Sequence, residues 1–175
     1  TKAAEVKCVN AKVDIGLAID AIDANLTSQK AEVAAATTVD AVKVIIKDGI
    51  IGKNRVFVSF LPAVRGMCAS DSILKLISGR LNSVVTKLKT AKLDTTLMEK
   101  YLAEAKTSAQ ASYGAYKAIA AVPGSATHKA DLEAAKTKLK AAKSSLSQAK
   151  IEAEKLRDLY ASTAKTTDST SKTGN

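Results

Sequence analysis

The chain has no tryptophan, two phenylalanines, one histidine, two prolines and two cysteines in 175 residues. Aromatic content of 3% beside a hydrophobic content of 46% leaves Ala, Val, Leu and Ile to supply the apolar surface. That balance disfavours a pocket with aromatic walls and favours long helices packed through small side chains. There is no Gly-rich phosphate loop, no metal-ligand cluster and no Gly-x-Ser-x-Gly nucleophile motif. The one histidine, His128, falls in the first turn of an expected helix, where an exposed surface residue is the ordinary outcome. Cys8 or Cys68 could serve it as a nucleophile, but nothing local activates either thiol. Glu99 and Glu104 are five apart on one expected helix and share its face poorly. No enzyme is expected, and no catalytic residue, metal or cofactor is assigned.

Long apolar runs are missing too. None approaches the roughly 20 residues of a membrane span, and no leader pattern reads at the start. A chain starting at Thr1 without Met is what processing or trimming leaves. Two well-separated cysteines, Cys8 and Cys68, and one sequon, Asn25-Leu26-Thr27, add to this. Together they favour a secreted, extracellular glycoprotein with a Cys8–Cys68 disulfide and a glycan on Asn25. An intracellular protein with two buried thiols is the alternative.

What the chain does have is a seam. Leu132, Ala135, Leu139, Ala142, Leu146, Ala149, Ala153, Leu156 and Tyr160 recur at alternating spacings of three and four. Leu alternates with Ala over the first six, which lets a neighbouring helix approach closely. At about 1.5 Å per residue, a helix from Thr127 to Ser162 would span about 50 Å. With Leu132 as heptad position a, position e is Lys136, Lys143, Lys150 and Arg157, basic in four successive heptads. Aliphatic stems there can cover the seam while the charges reach water. Pairing with acids on neighbouring helices, Asp14, Asp20 and Asp23 among them, explains the stripe in one way. A stripe for anionic headgroups, bordering a seam that opens onto lipid, explains it in another.

Net charge is +10 and uneven. Residues 1–70 hold nine Lys/Arg against seven Asp/Glu, about +2, and residues 71–175 hold eighteen against ten, about +8. Such a half attracts phospholipid headgroups, glycans or nucleic acid, although a solvated lysine-rich surface would have the same composition. Nucleic acid is disfavoured, because Tyr101, Tyr113, Tyr116 and Tyr160 are scattered and two of them, Tyr116 and Tyr160, fall on core seams.

Periodicity places a first helix from about Ala3 to Leu26 and a second from about Gln29 to Lys47, ended by Asp48-Gly49. Residues 50–67 are ambiguous. Val56 to Leu61 has strand composition, and Lys53-Asn54 could turn a hairpin with Val42 to Ile46. A lone hairpin would have little sheet to join, so the expectation is an irregular, largely buried connector, with room for one short helix, broken by Pro62 and Gly66. Ser70 or Asp71 caps a third helix carrying Ile73, Ile77, Leu81, Val84 and Leu88. Thr96 and Glu99 form a capping box for a fourth, with Met98, Leu102, Ala105, Ala109, Ser112, Tyr116 and Ile119 on its seam. Pro123-Gly124 ends it, Ser125 or Thr127 caps the fifth, and so short a loop forces an antiparallel hairpin.

The expected fold is all-α, an elongated up-down bundle of about five amphipathic helices with a long C-terminal antiparallel helical hairpin. Residues 1–165 form one domain and residues 166–175 a disordered Ser/Thr/Lys-rich tail. In style the chain resembles the exchangeable apolipoproteins, which are Ala/Lys/Leu-rich bundles of amphipathic helices. It resembles as loosely the elongated helical coat proteins of some parasites; no motif carries either, and no family is assigned. The leading functional expectation is a non-enzymatic secreted carrier binding lipid or another apolar ligand between its helices, with an anionic lipid surface as partner. The alternative is an extracellular or surface-displayed spacer presenting a protein-binding surface. A lysine-rich polyanion binder is the third reading.

Overall fold

Alanine, leucine and lysine are strong helix formers, and the chain is nearly all helical. The computed structural model describes residues 9–51, 56–121 and 127–170; side chains are described for 13–48 (Ala18 excepted), 60–121 and 127–162. Among the described residues there is no strand. Helix α1 is Val9–Ala35, α2 Val39–Val44, α3 Val56–Leu76, α4 Asn82–Thr90, α5 Thr96–Ala121 and α6 His128–Thr170. A π-helical turn, Ile45–Ile51, follows α2, and another, Ile77–Leu81, joins α3 to α4 without a break. About five helices are therefore packed together.

The first boundary differs from expectation. Helix α1 runs through Leu26 to Gln29, where a break is expected. Polar side chains there bond within the helix: Gln29 Nε2 donates to Asn25 Oδ1 at 3.2 Å and Ser28 Oγ to Glu32 Oε1 at 3.3 Å. Held that way, they do not compete for the backbone. The break comes at Thr38, whose backbone is extended and whose Oγ1 accepts from the Ala41 amide at 3.2 Å. Asp40 in the first turn of α2 suits the helix dipole. Asp48 and Gly49 lie inside the π turn and do not end the helix.

The connector expected over 50–67 is the largest correction. From Val56 onward it is helix α3, with Pro62 inside it. Phe60, Ala63, Met67 and Ser70 are buried at spacings of three, four and three, a helical stripe. Burying that stripe outweighs the strand composition of Val56 to Leu61 and the loss of one backbone donor at Pro62. Ser70 is consequently not a cap. It sits within α3, fully buried, and its Oγ donates to the Gly66 carbonyl at 2.9 Å.

The start of α5 also differs. Thr95 rather than Thr96 precedes the helix, and its Oγ1 donates to Glu99 Oε2 at 3.0 Å, while Asp94 Oδ1 accepts from the Thr96 amide at 2.9 Å. Lys89 Nζ completes this corner on Glu99 Oε1 at 2.7 Å. The Lys89 and Thr95 hydrogen bonds hold the Glu99 carboxyl below its ordinary value. At the end of α4, Leu93 N–H donates to Leu88 O at 3.1 Å and Lys92 N–H to Lys89 O at 2.8 Å, a Schellman closure. It puts Lys92 at φ 58°, the left-handed region where glycine is usual.

The chain comprises two compact units: residues 1–72 with 110–139, and residues 73–109 with 140–175. In unit one, Phe60, Ala63, Met67, Tyr116, Ile119, Ala120 and Ala135 make the core, and Ile15, Ile22, Leu132 and Leu139 pack against it. Ser112 Oγ donates to Ala135 O at 3.2 Å and lies 3.1 Å from Ser70 Oγ. Three helices thus meet through two serines. In unit two, Met98, Leu102, Ala105, Ala109, Ala142, Ala149 and Leu156 are buried, and the four alanines are fully so. Helix α6 continues to Thr170, into the segment expected to be a disordered tail; residues 171–175 lie outside the described residues.

Candidate functional site

The cleft of unit two is built by a register shift. Ile73 and Ile77 are buried four apart, and an uninterrupted α-helix would continue that stripe through Leu81, Val84 and Leu88. The π turn at Ile77–Leu81 holds an extra residue, which turns everything after it by about 100°. Val85 is buried instead of Val84. Val84 and Leu88, freed from the core, become cleft wall.

That cleft has a volume of about 600 Å³. Arg80, Val84, Lys87, Leu88 and Ala91 line one side, and Lys150, Ala153, Glu154, Arg157 and Tyr160 the other. The lining surface is overwhelmingly apolar, yet four cations and one carboxylate stand around it. Lysine and arginine do this readily, since their methylene stems extend apolar walls while the charge stays wet. Tyr160, expected in the core seam, is 53% exposed and belongs to this wall.

The basic stripe divides. Lys150 and Arg157 line the cleft; Lys136, in unit one, and Lys143 do not. The expected pairing with Asp14, Asp20 or Asp23 is not what the described residues show. Lys136 bonds Glu133 at 2.6 Å, Lys150 approaches Glu154 at 3.7 Å and Arg157 bonds Asp158 at 3.0 Å, all on α6 itself. The hydrogen bond and charge of Glu133 raise the Lys136 ammonium above its usual value. These pairs are exposed, so each is worth little to stability. Asp14 is engaged within unit one: Lys117 Nζ reaches its Oδ1 at 2.8 Å and Tyr113 Oη donates to its Oδ2 at 2.7 Å. Those hydrogen bonds, Lys117 first, lower the Asp14 carboxyl, while burial and then Asp14 raise the Tyr113 phenol.

The remaining residues singled out from sequence lie apart from the cleft. His128, expected on the surface, is buried at 8% exposure beside a hollow of about 380 Å³ in unit one that Ala115, Ile119, Asp131 and Lys138 also line. Asn25 is half-buried in the middle of α1 and accepts from Gln29, unlike the exposed loop that suits glycosylation. Cys68 packs against the core of unit one and is not a free thiol; Cys8 lies outside the described residues. Among the described residues no helix is long and apolar enough to cross a membrane. Nor, among them, do three or more His, Cys, Asp or Glu gather as a metal site.

Arg80, Lys87, Ala91 and Glu154 are the site residues that sequence reasoning did not single out, and Val84 and Leu88 were expected in the core rather than in a cleft wall. For the wall that Arg80 belongs to, the signal was spacing: 80, 84, 87, 88 and 91 share one helical face. No protein-family model, curated protein or solved structure matches the chain.

Proposed function

We propose that this is a non-enzymatic, secreted helical-bundle protein that binds lipid or another apolar ligand between its helices. The cleft of unit two carries the reading. Its volume of about 600 Å³ falls in the range of small-molecule sites, and mostly apolar walls with a few charged groups are the usual composition of such sites. Unpaired apolar wall exposed to water is unfavourable, and an acyl chain or flat hydrocarbon would cover it.

The finer architecture belongs to this proposal: an up-down bundle closed by an antiparallel hairpin of α5 and α6. In unit one Ser112 bonds Ala135, and in unit two Ser145 Oγ donates to Glu104 Oε2 at 3.5 Å. A step back along α5 is matched by a step forward along α6, as antiparallel pairing requires. The Cys8–Cys68 disulfide and the extracellular location complete the proposal, while the helical setting of Asn25 speaks against a glycan there.

Native mass spectrometry and organic extraction of the purified protein test it. A bound lipid or apolar molecule, released in about one copy per chain, is the expected result. A ligand-free protein that ignores fatty acids and liposomes would sink the carrier. A spacer presenting a protein-binding surface is the second reading, and the fully buried Ala105, Ala109, Ala142 and Ala149 favour it, because a seam packed through alanines leaves no room between helices there.

A further inference from the structure

Resting on the carrier reading, we infer that the cleft of unit two takes a single-chain anionic amphiphile, one molecule with a hydrocarbon tail and a carboxylate or phosphate head. The tail's place is the wall of Val84, Leu88, Ala153 and Tyr160. The head's place follows from the charges. Arg80 and Lys87 stand on one wall, Lys150 and Arg157 on the other, against a single lining carboxylate, Glu154.

The four cations are not equivalent. Lys150 and Arg157 have carboxylates of their own helix at 3.7 Å and 3.0 Å. Arg80 and Lys87 have none within 4.0 Å among the described residues. They lie seven residues apart, two turns along one face, with Val84 between them. An anionic head would satisfy these two, and their exposure lets them close over it. A neutral ligand would leave the local excess of positive charge uncompensated, and a cationic one would add to it. The cleft's volume suits one such molecule, where a docked helix would need a longer face.

Four probes of equal tail length test the inference on the full chain: dodecanoate, dodecyl phosphate, dodecanol and dodecyltrimethylammonium, each titrated calorimetrically below its micelle concentration. The anions should bind once per chain, about tenfold or more tighter than dodecanol, and the cation weakest. Added salt should narrow the gap. Each exposed cation should account for about threefold to fivefold, so the double variant R80Q/K87Q should bring dodecanoate close to dodecanol. Circular dichroism of that variant should match the parent, and the tighter of the two anions names the head.

Equal affinity for dodecanol and dodecanoate would overturn the anionic class and leave the carrier standing. Binding of none of the four probes would overturn both. Binding to phosphatidylserine vesicles without binding of any soluble probe would replace the single amphiphile by a membrane surface. Self-association abolished by R80Q/K87Q would replace it by a second copy of the chain.

Discussion

Replacing Gly66 by alanine is a demanding test of the core of unit one. Gly66 lies inside α3, fully wrapped, and a Cβ built there would overlap Cδ2, Cε2 and Cζ of the Tyr116 ring. The ring therefore lies flat on the glycine backbone. It cannot retreat easily, because Tyr116 is 3% exposed and clusters with Met67, Ile119 and Ala135. Two effects oppose one another. Alanine in a helix interior gains about 1 kcal/mol over glycine. Forcing a methyl into a packed site costs typically 1–3 kcal/mol, and overlap with three ring atoms puts this case at about 3. The net expectation is destabilisation by about 2 kcal/mol, or a melting temperature lower by about 4–8 °C for a chain of this size. Gly114, in α5, supplies the control: nothing lies within 4 Å of a Cβ added there. The same substitution at Gly114 should stabilise by about 0.5–1 kcal/mol. Thermal melts followed by circular dichroism read both. Shifts of the same sign, or Gly66→Ala melting at or above the parent, would mean that α3 and α5 do not meet at this point.

Other substitutions probe the remaining features. Ala142→Leu, at a fully buried alanine of α6, should cost about 1–3 kcal/mol, and Lys143→Gln, one residue on but exposed, less than about 0.5 kcal/mol; equal melts would place Ala142 at the surface. Lys92→Gly relieves a left-handed backbone at the Schellman position and should raise stability by about 0.5–1 kcal/mol in urea titrations; a loss would argue against that closure. Asp14 has a lowered folded-state pKa, so its contribution is present above its ordinary value of 3.8 and disappears as pH falls through the folded value. The melting-temperature gap between parent and Asp14→Asn should therefore shrink as pH drops below about 4, and a gap constant down to about pH 2 would remove the Lys117 and Tyr113 contacts as its cause. Thiol titration of denatured, unreduced protein should find no free cysteine, whereas two reactive thiols would refute the Cys8–Cys68 bond.

Which parts of the fold could be read from sequence follows from how each signal competes. All seven seam positions expected in α5, from Met98 to Ile119, are buried, and so are Ala135, Ala142, Ala149 and Leu156 of α6. There, periodicity and helix propensity agree over many turns. Near Val56 they conflict: β-branched and aromatic residues suggest a strand, while the stripe of Phe60, Ala63, Met67 and Ser70 demands a helix. The stripe carried more weight because each of its positions is buried, whereas composition is a weak local preference. Between Leu26 and Gln29, where a break is expected, side chains that bond four residues apart carry the helix through.

The cleft was less legible for a geometric reason. Tyr160 and the stripe residues Lys150 and Arg157 were visible as neighbours of a seam, but the opposite wall depends on a one-residue shift at Ile77–Leu81. Reading at a constant 3.6-residue period assigns Val84 and Leu88 to the core and leaves Arg80 and Lys87 as ordinary charges flanking that face, with no cleft for them to border. A π turn replaces one hydrogen-bond register by another at small cost and leaves no capping or proline signature in sequence. Gly79 within it has open space around it and offers no packing clue. The same shift that hides the site from pattern reading also makes it: had the helix kept its register, Val84 would be buried where Val85 is, and the apolar wall between Arg80 and Lys87 would be gone. The π turn is thus the local feature on which the proposed binding function depends.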